Sequence, residues 1–183
     1  AEEGGDMAFT PDVEIRDGDV IEGDGWTMKA LHTPGHLSNH ICFELVEEKT
    51  LFSGDHVMGW STTIVSPPDG DMTAYYQSLQ KLLDSPDDKV YYPTHGAPIP
   101  DVHTYVRAYL DHRQGREAQI VDVLTRNGAM NIPDMVKIMY ADVPEHLHRP
   151  AGRSVLAHLI HMVGDGRIKT DDAATADAVY ALA

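Results

Sequence analysis

The spacing of apolar residues changes near residue 101, and this change restricts the folds that the chain can adopt. Before it, short segments of alternating apolar residues are separated by Asp-Gly and Pro-Gly pairs, which is typical of strands joined by tight turns. After it, apolar residues recur at helical spacing. We therefore predict an α+β protein with a sheet-forming domain in residues 1–103 and a helical domain in residues 104–183.

The first domain is predicted to contain six short strands and one helix. The strands are expected in the segments VEIR, DVIEG, WTMKALHT, HICFELV, TLFSGD and KVYYPTHG. Asp71 is suited to cap the N-terminus of the helix, because an aspartate side chain can accept hydrogen bonds from the first backbone N–H groups. The apolar residues that follow share one helix face, which we expect to cover one side of the sheet.

The second domain is predicted to contain three helices and a hairpin. The first helix runs from Asp101 to a stop signal at Asn127-Gly128, a short second helix follows Pro133, and the third begins near Pro150. The segments RIKT and AVYALA are expected to pair as a two-stranded wing. Three helices followed by such a wing predict a winged-helix arrangement.

The segment HTPGHLSNH, residues 32–40, contains three histidines around a Pro-Gly pair. A helix cannot continue through that pair, so the segment is predicted to be a strand that runs into a tight turn. Loops at strand ends are common positions for functional side chains, and imidazole is the commonest protein ligand for transition metals. His36 and His40 are therefore candidate site residues.

Three polar residues each follow a predicted strand: His36, Asp55 in LFSGDH, and His95 in PTHG. They are 19 and 40 residues apart, which is too far for a local metal knuckle, so they can meet only through the sheet. Two neutral imidazoles and a carboxylate suit zinc, iron or manganese, and a carboxylate can also bridge two cations. Without such a meeting, Asp55 would be an ordinary turn cap and the histidines surface residues.

The segments HTPGHLSNH, LFSGDH and YYPTHG resemble, in order and spacing, the third, fourth and fifth metal motifs of the metallo-β-lactamase fold superfamily. The helical tail resembles the winged-helix extension of its β-lactamase-like branch, which includes glyoxalase-II-like and nuclease members. This resemblance implies the C-terminal half of an αββα sandwich followed by a winged-helix domain.

The resemblance also implies roles for individual residues. His36 corresponds to a ligand of the first metal, Asp55 to the carboxylate that bridges both metals, and His95 to a ligand of the second. His40 and His56 flank these positions and are expected to support the ligands or to face the substrate. The implied activity is that of a dinuclear zinc hydrolase, in which a metal-bound hydroxide attacks an ester, thioester or lactam carbonyl. Asp55, His40 and His56 are then the candidate catalytic residues.

One motif of the superfamily, His-x-His-x-Asp-His, is absent from the sequence. In the family that motif supplies further ligands to both metals, so the resemblance implies that this chain is the C-terminal portion of a longer or processed enzyme. We expect the chain alone to be inactive. Its missing half would be supplied by an N-terminal segment or, alternatively, by a second copy that pairs through exposed sheet edges.

Composition excludes several other classes of function. Residues 1–103 carry 5 Lys and Arg against 19 Asp and Glu, a net charge of −14, while residues 104–183 account for the remaining −1 of the total of −15. Such a surface repels nucleic acid and anionic membranes, which favours a small-molecule substrate. No apolar run is long enough to span a bilayer. The single cysteine, Cys42, excludes a disulfide framework and fits a reducing, cytoplasmic compartment.

Two further readings of the sequence concern the second domain. His158 and His161 are three residues apart on a predicted helix, but they alternate with core residues, so packing is favoured over metal binding. Arg149 and Arg153 begin that helix, where winged-helix proteins contact DNA, but the tail is not basic and packing or a substrate channel is favoured. A metal-dependent nuclease, or a non-catalytic binding module that uses the winged helix, remains the alternative to a carbonyl hydrolase.

Overall fold

The part of the chain that the structure describes, residues 8–85, 87–171 and 173–183, contains two sheets and four helices. The structure is a computed structural model. Its mixed α and β composition confirms the predicted fold class. None of the helices in this described part combines the length and apolarity that crossing a membrane requires.

The first sheet has five strands in sequence order. They are β1 (Val20–Gly23), β2 (Trp26–His32), β3 (Ile41–Leu45), β4 (Thr50–Gly54) and β5 (Val90–Pro93). The pairs from β1 to β4 are antiparallel, and β5 is parallel to β4. Strands β2, β4 and β5 therefore run in the same direction, and their C-terminal ends meet at one edge of the sheet.

Two helices cover one face of this sheet: α1 (Met72–Leu83) and α2 (Val102–Asn127). The core between them contains residues from four strands and from both helices: Leu31, Cys42, Leu51, Tyr91, Tyr75, Leu79, Leu82, Val102, Val106 and Tyr109. On the opposite face, Phe52 and Tyr92 are 40% and 44% exposed, and their ring centroids lie 6.0 Å apart. The sheet therefore has one packed face and one face with exposed aromatic rings.

The start of α1 is tied to the turn after β2. Asp71 caps the helix as predicted, since its Oδ1 accepts a hydrogen bond from the Ala74 N–H at 2.8 Å. The Asp71 N–H donates in turn to the Gly35 carbonyl. Gly35 has a φ of +140°, and a Cβ there would lie 2.4 Å from the Cα of Tyr75. Only glycine permits this close approach of turn and helix.

The second unit is built around the C-terminal part of α2. Its other elements are β6 (Met130–Asn131), α3 (Ile132–Met139), α4 (His148–Gly164), β7 (Ile168–Lys169) and β8 (Val179–Leu182). The three strands form a sheet in the order β6-β8-β7. The core of this unit includes Ile120, Leu124, Met135, Leu159 and Tyr180.

Helix α2 belongs to both cores, because its N-terminal half packs on the large sheet and its C-terminal half packs in the second unit. With 26 residues it is about 39 Å long. The proposed domain boundary at residue 104 lies in its first turn. Near its midpoint Gly115 is exposed, and a Cβ there would meet nothing within 4 Å.

Two details of the predicted strands were wrong. The segment VEIR, residues 13–16, is not a strand, because the turn that follows it satisfies its backbone locally: the Arg16 N–H donates to Asp19 Oδ2 at 2.7 Å. Strand β6 was not predicted, because two residues are too few to show an alternating pattern. The hairpin of β7 and β8 and the three helices of the tail are confirmed.

Candidate metal centre

The three residues singled out by the strand-end pattern lie together at one edge of the large sheet. His36 follows β2, Asp55 follows β4 and His95 follows β5. His36 Nε2 is 3.8 Å from Asp55 Oδ2, and His95 Nε2 is 3.7 Å from Asp55 Oδ1. Each histidine thus faces a different oxygen of one carboxylate.

The orientation of the His36 ring is fixed by a backbone carbonyl. His36 Nδ1 lies 2.6 Å from the Ile64 carbonyl oxygen. Because a carbonyl can only accept a hydrogen bond, Nδ1 carries a proton, and the lone pair of the neutral ring is then on Nε2. That lone pair is on the side of the ring that faces Asp55.

Asp55 has an oxygen that protein groups do not satisfy. Its Oδ1 is buried and has no hydrogen-bond partner within the described residues, although the carboxyl group as a whole is 32% exposed. A buried carboxylate oxygen without a donor is costly, so this atom is suited to a cation. Any two ligand atoms of a tetrahedral zinc ion lie about 3.4 Å apart. The distances from the Asp55 oxygens to His36 Nε2 and His95 Nε2, 3.8 and 3.7 Å, are slightly longer.

His40 holds the backbone of Asp55 in place through a hydrogen bond. Its Nε2 accepts a hydrogen bond from the Asp55 N–H at 3.2 Å, and its Nδ1 lies 2.9 Å from Thr33 Oγ1. Burial, followed by the nearby His36, lowers the pKa of His40 to about 4, so the ring is neutral and can accept. Gly54 has a φ of +55°, and a Cβ there would lie 2.7 Å from His40 Nε2, which is why glycine precedes Asp55.

His56 is fully buried rather than open to the cleft. Its ring packs against Tyr75 with 4.9 Å between centroids, and neither ring nitrogen has a hydrogen-bond partner among the described residues. Burial lowers the pKa of His56 to about 3. This position favours a packing role beneath Asp55 over contact with a substrate.

His95 lies at the open side of the site, with its side chain 56% exposed. The indole of Trp60, itself 73% exposed, lies 6.3 Å from the His95 ring. The two loops are joined by the Gly59 N–H, which donates to the His95 carbonyl at 2.8 Å. Trp60 and His95 therefore form the solvent-facing rim of the candidate site.

Residues 55–64 form a loop that connects these groups to helix α2. The Tyr109 hydroxyl contacts the carbonyl oxygens of Met58 and Ser61 and accepts from the Met58 N–H at 3.0 Å. One turn further along α2, Arg113 donates to the Thr63 carbonyl. Sequence reasoning did not identify Arg113, although its position continues the buried stripe of α2, where a charged residue is unusual.

The donor set fits two cations that share Asp55, but it supplies only part of each coordination shell. One cation would have His36 and one Asp55 oxygen, and the other would have His95 and the second oxygen. Structural and catalytic zinc sites use three or four protein ligands. Consistent with this shortage, no group of three or more His, Cys, Asp or Glu side chains within residues 8–85, 87–171 and 173–183 has the geometry of a metal site.

A second cluster of two histidines and a carboxylate lies between α1, α2 and α4. Glu117, 5% exposed, accepts from the Tyr76 hydroxyl at 2.9 Å and from His158 Nδ1 at 3.3 Å, and it pairs with Arg167 at 2.8 Å. His161 Nε2 lies 3.8 Å away. Burial opposes ionisation, but the hydrogen bonds from His158, Arg167 and Tyr76 outweigh it and lower the pKa of Glu117.

Comparison with known families agrees with both units of the fold. A model of the metallo-β-lactamase superfamily matches residues 2–95, and a model of the β-lactamase-associated winged helix domain matches residues 132–176. Metallo-β-lactamase superfamily proteins usually bind divalent metals. Neither match covers residues 96–131, which contain the whole of α2.

Curated relatives include hydrolases and lactamase-like proteins. An atrochrysone carboxyl ACP thioesterase of Aspergillus chevalieri is 32% identical over 163 residues, which are 85% of this chain and 51% of the relative. A β-lactamase-like protein 2 homologue of Caenorhabditis elegans is 35% identical over 155 residues, with the same two coverages of 85% and 51%. The chain thus spans about half the length of the curated relatives it matches.

A solved structure shows the same fold. The β-lactamase domain protein of Burkholderia ambifaria superposes with a TM-score of 0.84 at 23% identity, covering 96% of this chain and 54% of that one. The described architecture therefore corresponds to about half of that larger fold. With both family models, the relatives and this fold in agreement, the chain belongs to the metallo-β-lactamase superfamily and carries the winged helix associated with its β-lactamase-like members.

Proposed function

We propose that this chain forms one part of a metal-dependent hydrolase in which His36, Asp55 and His95 hold two divalent cations, with zinc as the expected metal. The observation that carries the proposal is the arrangement around Asp55: two imidazole nitrogens, 3.7 and 3.8 Å away, face its two oxygens. The remaining ligands come from residues outside this chain, since the chain spans about half the length of its curated relatives.

A pair of divalent cations at this position would supply two effects, a lowered pKa of a water molecule and stabilisation of a developing oxyanion. The chain's own residues set the geometry for these effects. His36 faces Oδ2 of Asp55 and His95 faces Oδ1, so each histidine would hold one cation and Asp55 would be shared by both. His40 holds the Asp55 backbone through a neutral ring, and His56 fills the space below.

The proposed substrate is a small molecule with a thioester or ester carbonyl. Two of the curated relatives carry the name of an acyl carrier protein thioesterase, which favours the thioester. The charge of −14 on residues 1–103 disfavours a nucleic acid phosphodiester, although bound cations would reverse the sign locally. A lactam carbonyl would undergo the same kind of attack by hydroxide, and a nuclease is the second candidate.

The metal-binding part of the proposal is tested on the chain itself. Zinc, iron(II) and manganese(II) are titrated into the metal-free chain by calorimetry, in parallel with the variants His95→Ala and His146→Ala. His146 is an exposed histidine of the second unit and serves as the control. We expect the wild type and His146→Ala to bind and His95→Ala to bind much more weakly. Equal binding by all three proteins would refute the site.

The reaction is tested on a protein in which this chain is joined to an N-terminal segment that supplies the remaining ligands. A model acyl thioester, a model ester and bis(p-nitrophenyl) phosphate are compared as substrates. Hydrolysis of the thioester, lost in His95→Ala and kept in His146→Ala, supports the proposal. Turnover of the phosphodiester alone would favour the nuclease, and unchanged thioester hydrolysis by His95→Ala would end the assignment of this residue.

A further inference from the structure

Arg113 of helix α2 lies beneath the candidate metal centre, far from solvent. Its side chain is 3% exposed, and its recorded partners within the described part of the chain are the Thr63 carbonyl oxygen and the ring of Tyr75, whose centroid is 5.4 Å from the guanidinium carbon. Arg113 forms no ion pair among the described residues. Burying a guanidinium costs free energy unless its interactions compensate, so a neutral residue would be the simpler choice for packing.

The residue that Arg113 holds is in contact with Asp55. The hydroxyl of Thr63 lies 2.5 Å from the Asp55 carbonyl oxygen and 3.0 Å from that of His56. Thr63 is itself buried, with 2% of its surface exposed. Through this one residue, the arginine on α2 fixes the backbone on which the Asp55 carboxylate is mounted.

The residue after Thr63 is in contact with the other side of the site. The Ile64 carbonyl accepts the hydrogen bond that fixes the His36 ring. Two consecutive residues of one loop therefore position His36 and Asp55, and Arg113 binds the carbonyl of the first of them. The planar peptide unit that contains the Thr63 carbonyl ends at the Cα of Ile64, so a shift of that unit displaces Ile64 and with it the carbonyl that His36 Nδ1 contacts.

We propose that Arg113 is a positioning residue of the metal centre: by anchoring the Thr63-Ile64 segment from helix α2, it keeps the His36 ring in the tautomer and orientation that direct Nε2 toward Asp55. The expected effect on zinc affinity rests on the proposed metal site. The expected effect on the His36 ring does not, because the ring's tautomer and orientation can be measured in the metal-free chain. Hydrogen-bond partners that orient metal ligands typically change metal affinity by about 10-fold to 100-fold when they are removed.

The test compares Arg113→Met with Arg116→Met. Methionine has a similar length to arginine but no donor, so Arg113→Met removes the bond to Thr63 and keeps much of the packing. Arg116 is on the same helix and also lies over an aromatic ring, that of Tyr140 at 4.7 Å, but this contact is in the second unit. It is therefore a matched control for losing an arginine on α2.

Two quantities are measured for each protein. The first is the tautomer of His36 in the metal-free chain, obtained from the nitrogen chemical shifts of the ring by NMR. The second is zinc affinity by calorimetry. We expect Arg113→Met to lose the predominance of the Nδ1-protonated tautomer and to bind zinc about tenfold more weakly. Arg116→Met is expected to match the wild type in both measurements.

Arg113→Lys keeps the test decisive if the methionine variant does not fold. Lysine can reach the Thr63 carbonyl with a single donor, so its tautomer ratio and its zinc affinity should lie between those of the wild type and Arg113→Met. A folded Arg113→Met chain with the wild-type tautomer and zinc affinity would overturn the inference. If Arg113→Met does not fold, an Arg113→Lys chain with the wild-type tautomer ratio and the wild-type zinc affinity would also overturn the inference.

Failure of the proposed function is a separate outcome. If the wild-type chain binds no divalent metal, the proposed hydrolase site is wrong, and the tautomer measurement alone decides whether Arg113 positions His36. If the wild type binds zinc and Arg113→Met binds equally well, the site stands and the role of Arg113 falls.

Discussion

Two clusters in this molecule have the same composition, two histidines and one carboxylate, and differ in how the carboxylate is satisfied. In the cluster of His36, Asp55 and His95, the nearest ring nitrogens stay 3.7 and 3.8 Å from the carboxylate, and one oxygen has no hydrogen-bond partner within the described residues. In the cluster around Glu117, the carboxylate accepts from a tyrosine and a histidine and pairs with an arginine.

This difference teaches that residue type does not distinguish a metal site from a structural network. Glu117 is surrounded by donors from α1, α4 and the turn after α4, so its charge is already compensated and it connects these elements. Asp55 lies at a sheet edge, and no group of the described residues donates a hydrogen bond to its buried Oδ1. A cation is the partner that such a set lacks. The following predictions test the contrast between a structural carboxylate and a ligand carboxylate.

The largest effect on stability is expected from Glu117→Leu. The substitution leaves His158 and Tyr76 without their acceptor, and it removes one partner of Arg167. We expect the free energy of unfolding to fall by about 3 kcal/mol, the lower end for a broken buried ion pair, because Arg167 is partly exposed and also pairs with Asp165. Urea unfolding measures this loss.

The control for that variant lies on the same helix. Asp122 forms an exposed i,i+4 pair with Arg126, so Asp122→Asn should change the free energy of unfolding by less than about 0.5 kcal/mol. Zinc affinity should be unchanged in both variants. If Glu117→Leu weakened zinc binding, the two clusters would be coupled and the contrast drawn above would be incorrect.

Asp55→Asn is expected to have the opposite signature. Loss of a ligand shared by both cations should weaken zinc binding by at least about 100-fold, which corresponds to about 2.7 kcal/mol. The stability of the metal-free chain should stay within about 0.5 kcal/mol of the wild type, because no protein donor is bonded to its buried oxygen. Calorimetric titration and urea unfolding give the two values, with the exposed Asp24→Asn as control. Destabilisation by several kcal/mol would identify Asp55 as structural.

The pH dependence of stability should reveal the second cluster. Burial, with further contributions from Arg113 and His161, outweighs the hydrogen bond to Glu117 and lowers the pKa of His158 from 6.5. Below 6.5 the unfolded chain therefore binds a proton that the folded chain does not, so stability falls as the pH falls until the folded pKa is reached.

The variant His158→Gln isolates this contribution. One proton of difference corresponds to at most about 1.4 kcal/mol per pH unit, and the slope below pH 6.5 should decrease by part of that amount in the variant. Unfolding at one pH above and one below 6.5, for wild type and variant, provides the measurement. An unchanged slope would show that His158 takes up its proton equally in both states.

The smallest effect is expected at Gly115, which separates Arg113 beneath the metal centre from Glu117 in the second cluster. Gly115 is exposed within a continuous helix, and an added Cβ has open space. Gly115→Ala should raise the free energy of unfolding by about 1 kcal/mol through helix propensity alone. Zinc affinity should not change. A stability that falls would show that the helix needs glycine there, which the open surroundings do not explain.

Most helices and strands could be predicted from the sequence, because the residues that indicate them are close together in the chain. The Asp71 cap, the stop at Asn127-Gly128 and the period of each helix are read from neighbouring residues, and all three agree with the structure. The meeting of His36 and Asp55 followed from strand ends and motif order, without knowledge of the register.

The supporting residues of the site could not be predicted, because they act across long stretches of chain. Arg113 reaches a carbonyl 50 residues away, and a carbonyl leaves no mark in the sequence. His56 follows a candidate ligand directly but is turned into the core by the tight loop after β4. Backbone acceptors and the direction of a side chain depend on tertiary structure, so only the coordinates reveal them.

The helix common to both cores also affects how the molecule can evolve. Families often change specificity by exchanging or repositioning a whole module, which requires a linker that tolerates cutting and rejoining. Here the winged-helix unit is joined to the sheet by the uninterrupted helix α2. A change in the number of residues within α2 turns the winged-helix unit about the helix axis relative to the sheet. Insertions and deletions of whole helical turns are the length changes that such a junction accepts most readily.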